Sequence, residues 1–489
     1  MSPRNFYGFA LFIAVAALMI SSESLWIDEA QTYRFAAQPS FGAWVETLKN
    51  DTFSEAQMPF SMLIAWLSAQ FLGTSEWAMR AANILWIGLG GIAISRLASM
   101  LHLRWLVPVY LVHPFVWYYA NEARPYALII CLGAWLLLLL LQIQNAPDLK
   151  PRLFWLAGLL SLSAFGTSLL CAFFLMGLGL TASLFCLRRR SELTKRHLPP
   201  LVITIAGLSV LSIYYLWTLK KGATGAKIWR LGPASVGFAG YEFLGFGGLG
   251  LPRQELRELG RNIAGNMRQI FQPQYLVGLI GLGGVYVALA SQAQRLAKDP
   301  AARTCVLVSC ITCCSLVTAA ALAQFPFWGR HFSYLLPAFL VLVGLTIKSV
   351  ESAFGKRASD TIAGLLLICF AISSLQLRFN PRHRKDDYRS ATSVAKDALA
   401  AGKSVWWSAD QSTAGYYKLH FDPEEKSGTL RLMSNRSPND KCFDSESPDV
   451  IITSKPDVYD YEGAVSRFTL SRNYEPDSQI KAFTIWMKR

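Results

Sequence analysis

Long apolar segments dominate this chain and constrain its fold more than any other feature. A helix needs about 20 mostly apolar residues to cross a membrane. Hydrophobic residues make up 53% of the 489 residues and charged residues only 16%, which is too apolar for an ordinary soluble enzyme. The sequence therefore predicts a polytopic α-helical membrane protein. The predicted spans are 6–20, 77–95, 105–120, 124–144, 152–165, 167–187, 199–219, 274–293, 303–323, 331–348 and 359–377.

Positive charge predicts how these segments are oriented. Cytoplasmic loops of membrane proteins carry an excess of Lys and Arg, and five short connections in this chain are basic. All five lie in the cytoplasm only if residues 59–72, which are too short for a full crossing, form an external or re-entrant helix. This arrangement predicts about 11 spans and places residues 23–58, residues 220–273 and the C-terminal tail outside. The basic connections contain Arg96 and Arg104, Lys150 and Arg152, Arg188 to Arg196, Arg295 to Arg303, and Lys348 to Arg357.

The sequence also predicts two domains. Residues 1–379 contain the apolar segments and carry 30 Lys and Arg against 16 Asp and Glu, whereas residues 380–489 carry 17 against 16. A basic membrane body with a neutral tail favours anionic membrane lipids, rather than nucleic acid, as partners. The predicted fold is an all-α membrane domain, with external amphipathic helices, followed by a small C-terminal α/β domain.

Two segments outside the spans have recognisable patterns. Beyond Pro252, apolar residues recur at helical spacing while Arg253, Arg257 and Arg261 recur every four residues, which predicts an interfacial helix that binds anionic head groups. The tail alternates between helical and strand patterns. Its predicted helices are 386–400 and 411–419, and its predicted strands are 404–408, 449–454 and 482–487.

Two adjacent carboxylates, Asp28 and Glu29, follow the first span at the predicted outer face of the membrane. Carboxylates at such a place are costly to desolvate and often functional. Two interpretations remain open from the residues. The pair caps a short helix, since Asp favours the N-cap and Glu the first turn, or Asp28 is a general base that accepts a proton from an acceptor hydroxyl.

Two arginines are predicted to lie on the same outer face, against the positive-inside bias. Arg124 stands in the segment Asn121-Glu122-Ala123-Arg124-Pro125-Tyr126, and Arg330 stands beside His331. A guanidinium binds a phosphate well through paired hydrogen bonds. The structural alternatives are a helix that starts at Pro125 and an Arg330 side chain that only snorkels to the surface.

The lysine pair Lys220 and Lys221 is a further candidate for phosphate binding. It is the weakest one, because a lysine pair that follows a helix is usually just solvated.

In their order along the chain, these motifs resemble those of a known family. Trp26-x-Asp28-Glu29 follows the first span, Pro59 opens the external helix, Glu122 to Tyr126 comes next, and Arg330-His331 precedes Pro337. Together they resemble polyprenyl-phosphate-sugar-dependent glycosyltransferases of the GT-C fold, in particular aminoarabinose transferases of lipid A and protein O-mannosyltransferases. The resemblance covers roughly residues 1–377. Arg330-His331 departs from the Arg-Tyr pair that is more usual there.

The resemblance implies a membrane glycosyltransferase, either a hexosyl- or a pentosyltransferase. Such an enzyme moves a sugar from a polyprenyl phosphate, with inversion, to a lipid, glycan or protein acceptor. It implies a place in the bacterial inner membrane, with the active site and the C-terminal domain on the periplasmic side. Asp28 would be the catalytic residue. The predicted substrate-binding residues are Glu29, Glu122, Arg124, Tyr126, Lys220, Lys221, Arg330 and His331.

No cofactor is expected, because a lipid phosphate is itself a good leaving group and needs only a base and cations. A divalent metal is compatible with that chemistry, but the sequence offers no ligand cluster for one. The alternatives are a protein O-glycosyltransferase of the same fold and a lipid or solute transporter. Transporters carry charged or broken helices near mid-membrane, whereas the charges here lie at the predicted outer ends, which favours the transferase.

Overall fold

The structure is a computed structural model that describes residues 3–146, 148–189, 191, 194–222, 233–253, 255–256, 273–325, 327–422 and 429–488. The interfacial helix predicted beyond Pro252 falls almost entirely outside the described residues, as do Arg257 and Arg261.

The chain is mainly helical up to residue 379, and all of its described strands follow that point. The described α-helices are α1 Pro3–Met19, α2 Ile27–Ala36, α3 Phe41–Asn50, α4 Pro59–Leu72, α5 Glu76–Leu101, α6 Leu106–Val112, α7 Pro114–Ala120, α8 Tyr126–Asn145, α9 Pro151–Thr167, α10 Cys171–Arg188, α11 Leu198–Lys220, α12 Pro233–Phe243, α13 Pro273–Ala290, α14 Ala293–Leu296, α15 Pro300–Ala323, α16 Leu336–Phe379, α17 Tyr388–Ala400, α18 Gln411–Tyr416, α19 Cys442–Ser445, α20 Pro456–Tyr459 and α21 Ala464–Ser471. The 3₁₀ helices are Ser54–Gln57, Lys195–His197, Gly329–Leu335 and Pro381–His383.

Six of the described helical segments are long and apolar enough to cross a membrane, and three shorter apolar helices accompany them. The chain is therefore a multi-pass membrane protein. The external candidate α4 is only 14 residues long and belongs to the shorter group. The count of 11 spans and the non-crossing α4 stay predictions.

Two of the predicted spans differ in form from the helices in the structure. The predicted span 105–120 consists of two helices, α6 and α7, with a break at His113. Pro114 has no N–H to continue the first helix, and it occupies the first position of the second. The predicted spans 331–348 and 359–377 are joined in α16, which has a non-helical residue at Gly355 with φ 84°. Only glycine adopts that backbone conformation readily.

The helix α8 lies at the centre of the membrane domain. About 89% of its most apolar stretch is buried inside the protein, and it packs against α5, α9 and the 3₁₀ helix Gly329–Leu335. A helix that is apolar on every side requires such surroundings. Since α8 begins at Tyr126 and the 3₁₀ helix carries Arg330, this packing brings two distant candidate residues to one end of the bundle.

The C-terminal unit, residues 380–422 and 429–488, is built on a five-stranded sheet in the order β2-β1-β3-β5-β4. The pairs β1–β2 and β1–β3 are parallel, and β3–β5 and β4–β5 are antiparallel. The helix α17 covers one face of the sheet. The strands are β1 Val405–Ser408, β2 Leu430–Leu432, β3 Val450–Ser454, β4 Tyr474–Ile480 and β5 Phe483–Lys488.

The C-terminal unit rests directly on the segment that precedes Asp28. The hydroxyl of Tyr417 accepts a hydrogen bond from the Leu25 amide at 2.8 Å and another from the Ser24 hydroxyl at 3.1 Å. Arg389 donates to the Ser22 carbonyl at 2.7 Å, and Ile27 packs against the core of the unit. The boundary between residues 379 and 380 stays a prediction.

Candidate functional site

The structure separates the roles of the two adjacent carboxylates. Trp26 occupies the N-cap of α2, and Glu29, at the third helical position, accepts a hydrogen bond from the Trp26 amide at 3.4 Å. The Asp28 carboxylate instead points away from the helix end, toward Arg330. Glu29 is therefore the capping residue of the pair, and Asp28 is available for other chemistry.

Glu29 is fully buried and bound to several donors. Arg80 donates to its two carboxylate oxygens at 2.7 and 2.6 Å, and the Ala123 amide donates at 2.7 Å. The Lys385 ammonium lies 3.1 Å away. Burial alone would raise the pKa of Glu29, but Arg80 and Lys385 lower it to about 2. Glu29 thus fixes α2 to α5 and to the loop before α8, and its contact with the sugar stays a prediction.

Asp28 forms the centre of the candidate site with Arg330. The Arg330 Nη1 atom donates to Asp28 Oδ2 at 2.7 Å, and the side chains remain 18% and 26% exposed, respectively. The Arg330 guanidinium lies 5.8 Å from the centroid of the Trp26 ring and 6.0 Å from that of Tyr126. The pair is therefore framed by aromatic rings yet open to a ligand.

The charges around Asp28 keep it ionised. Burial would raise the pKa of Asp28, but the Arg330, Arg124 and Lys455 cations together outweigh that effect and lower it. The carboxylate is therefore deprotonated at neutral pH, as a general base must be. A lowered pKa also makes it a weaker proton acceptor for as long as Arg330 stays paired with it.

Arg124 is placed beside Asp28 but already has a carboxylate partner. Its Nη1 atom donates to Glu55 at 2.6 Å and to the Asp28 backbone carbonyl at 3.1 Å. Its Nε is buried and has no hydrogen-bond partner in the part of the chain that the structure describes. The Glu55 charge raises the pKa of Arg124, although burial opposes this. Arg124 therefore holds α2 in position, and phosphate binding through its remaining donor stays a prediction.

Glu122 is a fully buried carboxylate whose oxygens accept no hydrogen bond from the described residues. Burial raises its pKa, although the Lys385, Arg253 and Arg330 cations oppose that shift. Arg253 Nη1 lies 3.8 Å from Glu122 Oε1. A buried carboxylate without hydrogen bonds is costly, and substrate binding by Glu122 stays a prediction.

Arg253 itself is turned inward. Its guanidinium pairs with Glu242 and donates to the Tyr118 hydroxyl at 2.8 Å and to the Tyr119 hydroxyl. Arg253 thus has partners within the protein, and its binding to lipid head groups stays a prediction.

The other predicted binding residues differ in where they lie. The His331 ring accepts a hydrogen bond from the Trp328 amide at 3.2 Å, so it caps the 3₁₀ helix beside Arg330. Lys221 donates to the Lys49 carbonyl at 2.6 Å and lies over the Trp217 ring, and Lys220 is exposed. Within the described part of the chain, no contact joins either lysine to Asp28 or Arg330.

Sequence reasoning missed four residues that build the site: Arg80, Glu55, Lys385 and Lys455. Arg80 had a recognisable signal, because a lone arginine inside an apolar run requires a buried partner. The other three lie in polar segments, where one more charge is unremarkable. Among the described residues, no group of three or more His, Cys, Asp or Glu is arranged to hold a metal ion.

Comparison with known proteins identifies the fold. No family model and no curated protein sequence matches the chain. The crystal structure of ArnT from Cupriavidus metallidurans in the apo state matches with 12% identity and a TM-score of 0.52, over 98% of this chain and 97% of that one. The same protein bound to undecaprenyl phosphate gives the same values. An oligosaccharyltransferase from Archaeoglobus fulgidus is more distant, with 10% identity and a TM-score of 0.45, over 91% and 68%.

The match to ArnT extends over nearly the whole of both chains, and it includes the C-terminal unit. At 12% identity it shows the fold and no more. The chain therefore has the GT-C fold, an all-α membrane body followed by a small α/β unit, as the sequence resemblance implied.

Proposed function

We propose that this protein is a membrane glycosyltransferase that moves a sugar from a polyprenyl phosphate to an acceptor, with inversion at the sugar carbon. The observation that carries the proposal is the Asp28–Arg330 pair, a carboxylate and a guanidinium 2.7 Å apart and partly open between aromatic rings. The GT-C fold, shared with a protein whose structure holds undecaprenyl phosphate, supports the same chemistry.

In the proposed reaction, an acceptor hydroxyl oxygen attacks the anomeric carbon of the sugar. The bond from that carbon to the phosphate oxygen breaks, and the lipid phosphate leaves with the electron pair. The hydroxyl proton passes to the Asp28 carboxylate. Arg330 stabilises the negative charge on the departing phosphate, and a preorganised cation is most effective where charge develops.

The same pair explains how a weak base becomes effective. In the structure, Arg330 is engaged by Asp28, and this lowers the Asp28 pKa. A bound lipid phosphate would draw Arg330 toward its own oxygens. The Asp28 pKa would then rise toward its ordinary value, and the carboxylate would become a better proton acceptor. On this proposal, donor binding activates the base.

The proposal is tested by comparing the lipids, envelope glycans and proteins of cells with and without the protein, by mass spectrometry. We expect a sugar to disappear from one of these fractions, while its polyprenyl-phosphate form accumulates. A loss confined to proteins would assign the protein O-glycosyltransferase alternative. Unchanged fractions, together with an accumulated untransported solute, would instead favour a transporter.

The proposed location is the bacterial inner membrane, with Asp28 and the C-terminal unit on the periplasmic side. The basic loops support this orientation, because positive residues favour the cytoplasm. In a variant without native cysteines, Ser191→Cys between α10 and α11 should react with an impermeant maleimide only from the cytoplasmic side. Ser437→Cys in the C-terminal unit should react only from the other side. Labelling of both from one side would contradict the orientation.

A further inference from the structure

One edge of the C-terminal sheet faces the candidate site. Because β1 and β3 are parallel, their carboxyl ends lie at the same edge, where Asp410 follows β1 and Lys455 follows β3. The Lys455 Nζ atom lies 5.8 Å from the centroid of the Trp26 ring. Ligands of open α/β sheets bind outside the carboxyl ends of the strands, and here that edge lies against the segment carrying Asp28.

The charges at this edge act on Asp28. Lys455 is one of the cations that lower the pKa of Asp28, against the effect of burial. Burial raises the pKa of Asp410, and the negative charge of Asp28 adds to that rise. Charges from the C-terminal unit therefore act on the proposed base across the boundary between the two parts of the chain.

Three buried hydrogen-bonding groups at this boundary have no hydrogen-bond partner among the described residues. They are Trp26 Nε1, Arg330 Nε and Ser454 Oγ. The Trp26 ring lies within 5.8 Å of both the Arg330 guanidinium and the Lys455 ammonium. Two of the three unpaired groups can only donate, and unpaired buried donors are rare in folded proteins.

The backbone of Lys455 is also unusual. This residue has φ 41° and ψ 71°, in the left-handed region that non-glycine residues seldom adopt. Such conformations cost on the order of 1–3 kcal/mol and cluster at ligand-binding sites. The strained turn directs Lys455 toward Trp26, and Asp386 holds its ammonium there by an ion pair.

We propose that the carboxyl edge of the C-terminal sheet completes the substrate site, with Lys455 and Ser454 joining Trp26 and Arg330 to bind an oxyanion, namely a substrate phosphate. Two cations and donor-only nitrogen atoms match the acceptor-only oxygens of a phosphate. The proposal rests on the proposed function in placing a substrate phosphate beside Arg330. That phosphate belongs either to the lipid-linked donor or to an anionic acceptor.

The test is direct binding to the purified full-length protein. Native mass spectrometry measures undecaprenyl phosphate, with undecaprenol as the phosphate-free control, and calorimetry measures inorganic phosphate. Lys455→Met should weaken binding of the phosphate-bearing probe by about tenfold, as expected for one charge-assisted hydrogen bond. Undecaprenol binding should not change. Lys455→Arg should retain most of the affinity, since it keeps the cation.

Two further variants separate ligand binding from a structural role. Asp386→Asn removes the carboxylate charge but keeps an oxygen that accepts a hydrogen bond from the Lys455 ammonium. The ammonium therefore stays in position, and the affinity for phosphate should be kept or increased. Lys403→Met removes an exposed lysine near the opposite end of β1 and should have no effect. Equal losses in Lys455→Met and Asp386→Asn would overturn the proposal, because they would show that only the ion pair matters.

Unchanged binding of both phosphate probes by Lys455→Met would also overturn it. Steady-state kinetics then identify the source of the phosphate. A higher KM for the donor assigns the site to the lipid phosphate, and a higher KM for the acceptor assigns it to an anionic acceptor group. If the protein transfers no sugar at all, the proposed function fails, and the binding measurements still decide the role of Lys455.

Discussion

Asp28→Asn should reduce the rate of sugar transfer by about a hundred- to ten-thousand-fold, the usual cost of losing a general base. Asparagine has nearly the same shape and still accepts a hydrogen bond from Arg330, but it takes no proton at its amide. The effect should therefore fall on kcat, with donor binding largely kept. The measurement is single-turnover transfer from a polyprenyl-phosphate sugar by the purified protein.

The control for this change is Glu46→Gln, which neutralises an exposed carboxylate on the neighbouring helix α3 and should transfer sugar at the normal rate. If the Asp28–Arg330 pair has only a structural role, Asp28→Asn should lower the unfolding temperature. The folded fraction of the variant should then transfer sugar at the normal rate. Normal turnover by folded Asp28→Asn would end the assignment and leave Glu122 as the next candidate base.

The pH dependence follows from the direction of the pKa shift. The Asp28 pKa lies below its ordinary 3.8, because the surrounding cations outweigh burial. In the free enzyme, the base should therefore stay active down to a pH below that value, and kcat/KM should fall only as the pH drops through the lowered pKa. Substitution of Arg330 by Met removes the first of those cations, so the Asp28 pKa should rise. The fall of kcat/KM on the acidic side of the pH profile should therefore move to higher pH.

Arg80→Met should destabilise the protein by about 3–5 kcal/mol, the usual result of removing one partner from a buried ion pair. Arg80 is fully buried and donates to both oxygens of Glu29, and to the Ser21 and Glu23 carbonyls, each at 2.9 Å. Without it, a buried carboxylate and two backbone carbonyls lose a donor. Thermal unfolding in detergent micelles measures the loss.

Two variants control this measurement. Arg96→Met removes an exposed arginine from the same helix and should change stability little. The double variant Arg80→Met with Glu29→Gln should recover part of the loss, because the buried carboxylate charge that Arg80 balances is then removed, while Lys385 keeps its hydrogen bond to the Asn121 carbonyl. A double variant no more stable than Arg80→Met alone would show that the lost carbonyl contacts, rather than the Glu29 charge, determine the effect.

From the Glu29 ion pair we also expect the stability of the folded protein to depend on pH in the acidic range. The folded pKa of Glu29 is about 2, against an ordinary value of 4.5. A depressed folded pKa means that the stabilisation is fully present above the unfolded value and is lost as the pH falls through the folded value. The wild-type protein should therefore lose stability between about pH 4.5 and pH 2, and Glu29→Gln should lack this component.

The sequence alone determined the helical body and much of the C-terminal unit, because both depend on local patterns. The predicted segment 199–219 is helix Leu198–Lys220, and the predicted strand 404–408 is Val405–Ser408. An apolar run of that length has few other stable conformations in a membrane. The strand Tyr474–Ile480 escaped prediction, since it is a polar edge strand that contains a proline.

The sequence also identified candidate site residues, but it did not determine which residues they contact. Costly charges at predicted outer helix ends singled out Asp28 and Arg330, and the structure brings them to 2.7 Å across 302 positions of the chain. The sequence did not distinguish the role of Asp28 from that of Glu29. That difference arises because Arg80, from another helix, binds Glu29, and the geometry of a contact between helices is not encoded in the spacing of either helix.

Only the tertiary structure decided that the C-terminal unit contacts the candidate site. Lys385 and Lys455 lie in ordinary polar segments, with no periodicity to distinguish them from the other tail lysines. Lys455 reaches Trp26 because it follows β3 at the carboxyl ends of the parallel strands. Lys385 reaches Glu29 from the segment that precedes α17. Hydrophobic periodicity specifies which face of an element is buried, whereas the meeting of two folded units depends on the summed shape and charge of both surfaces.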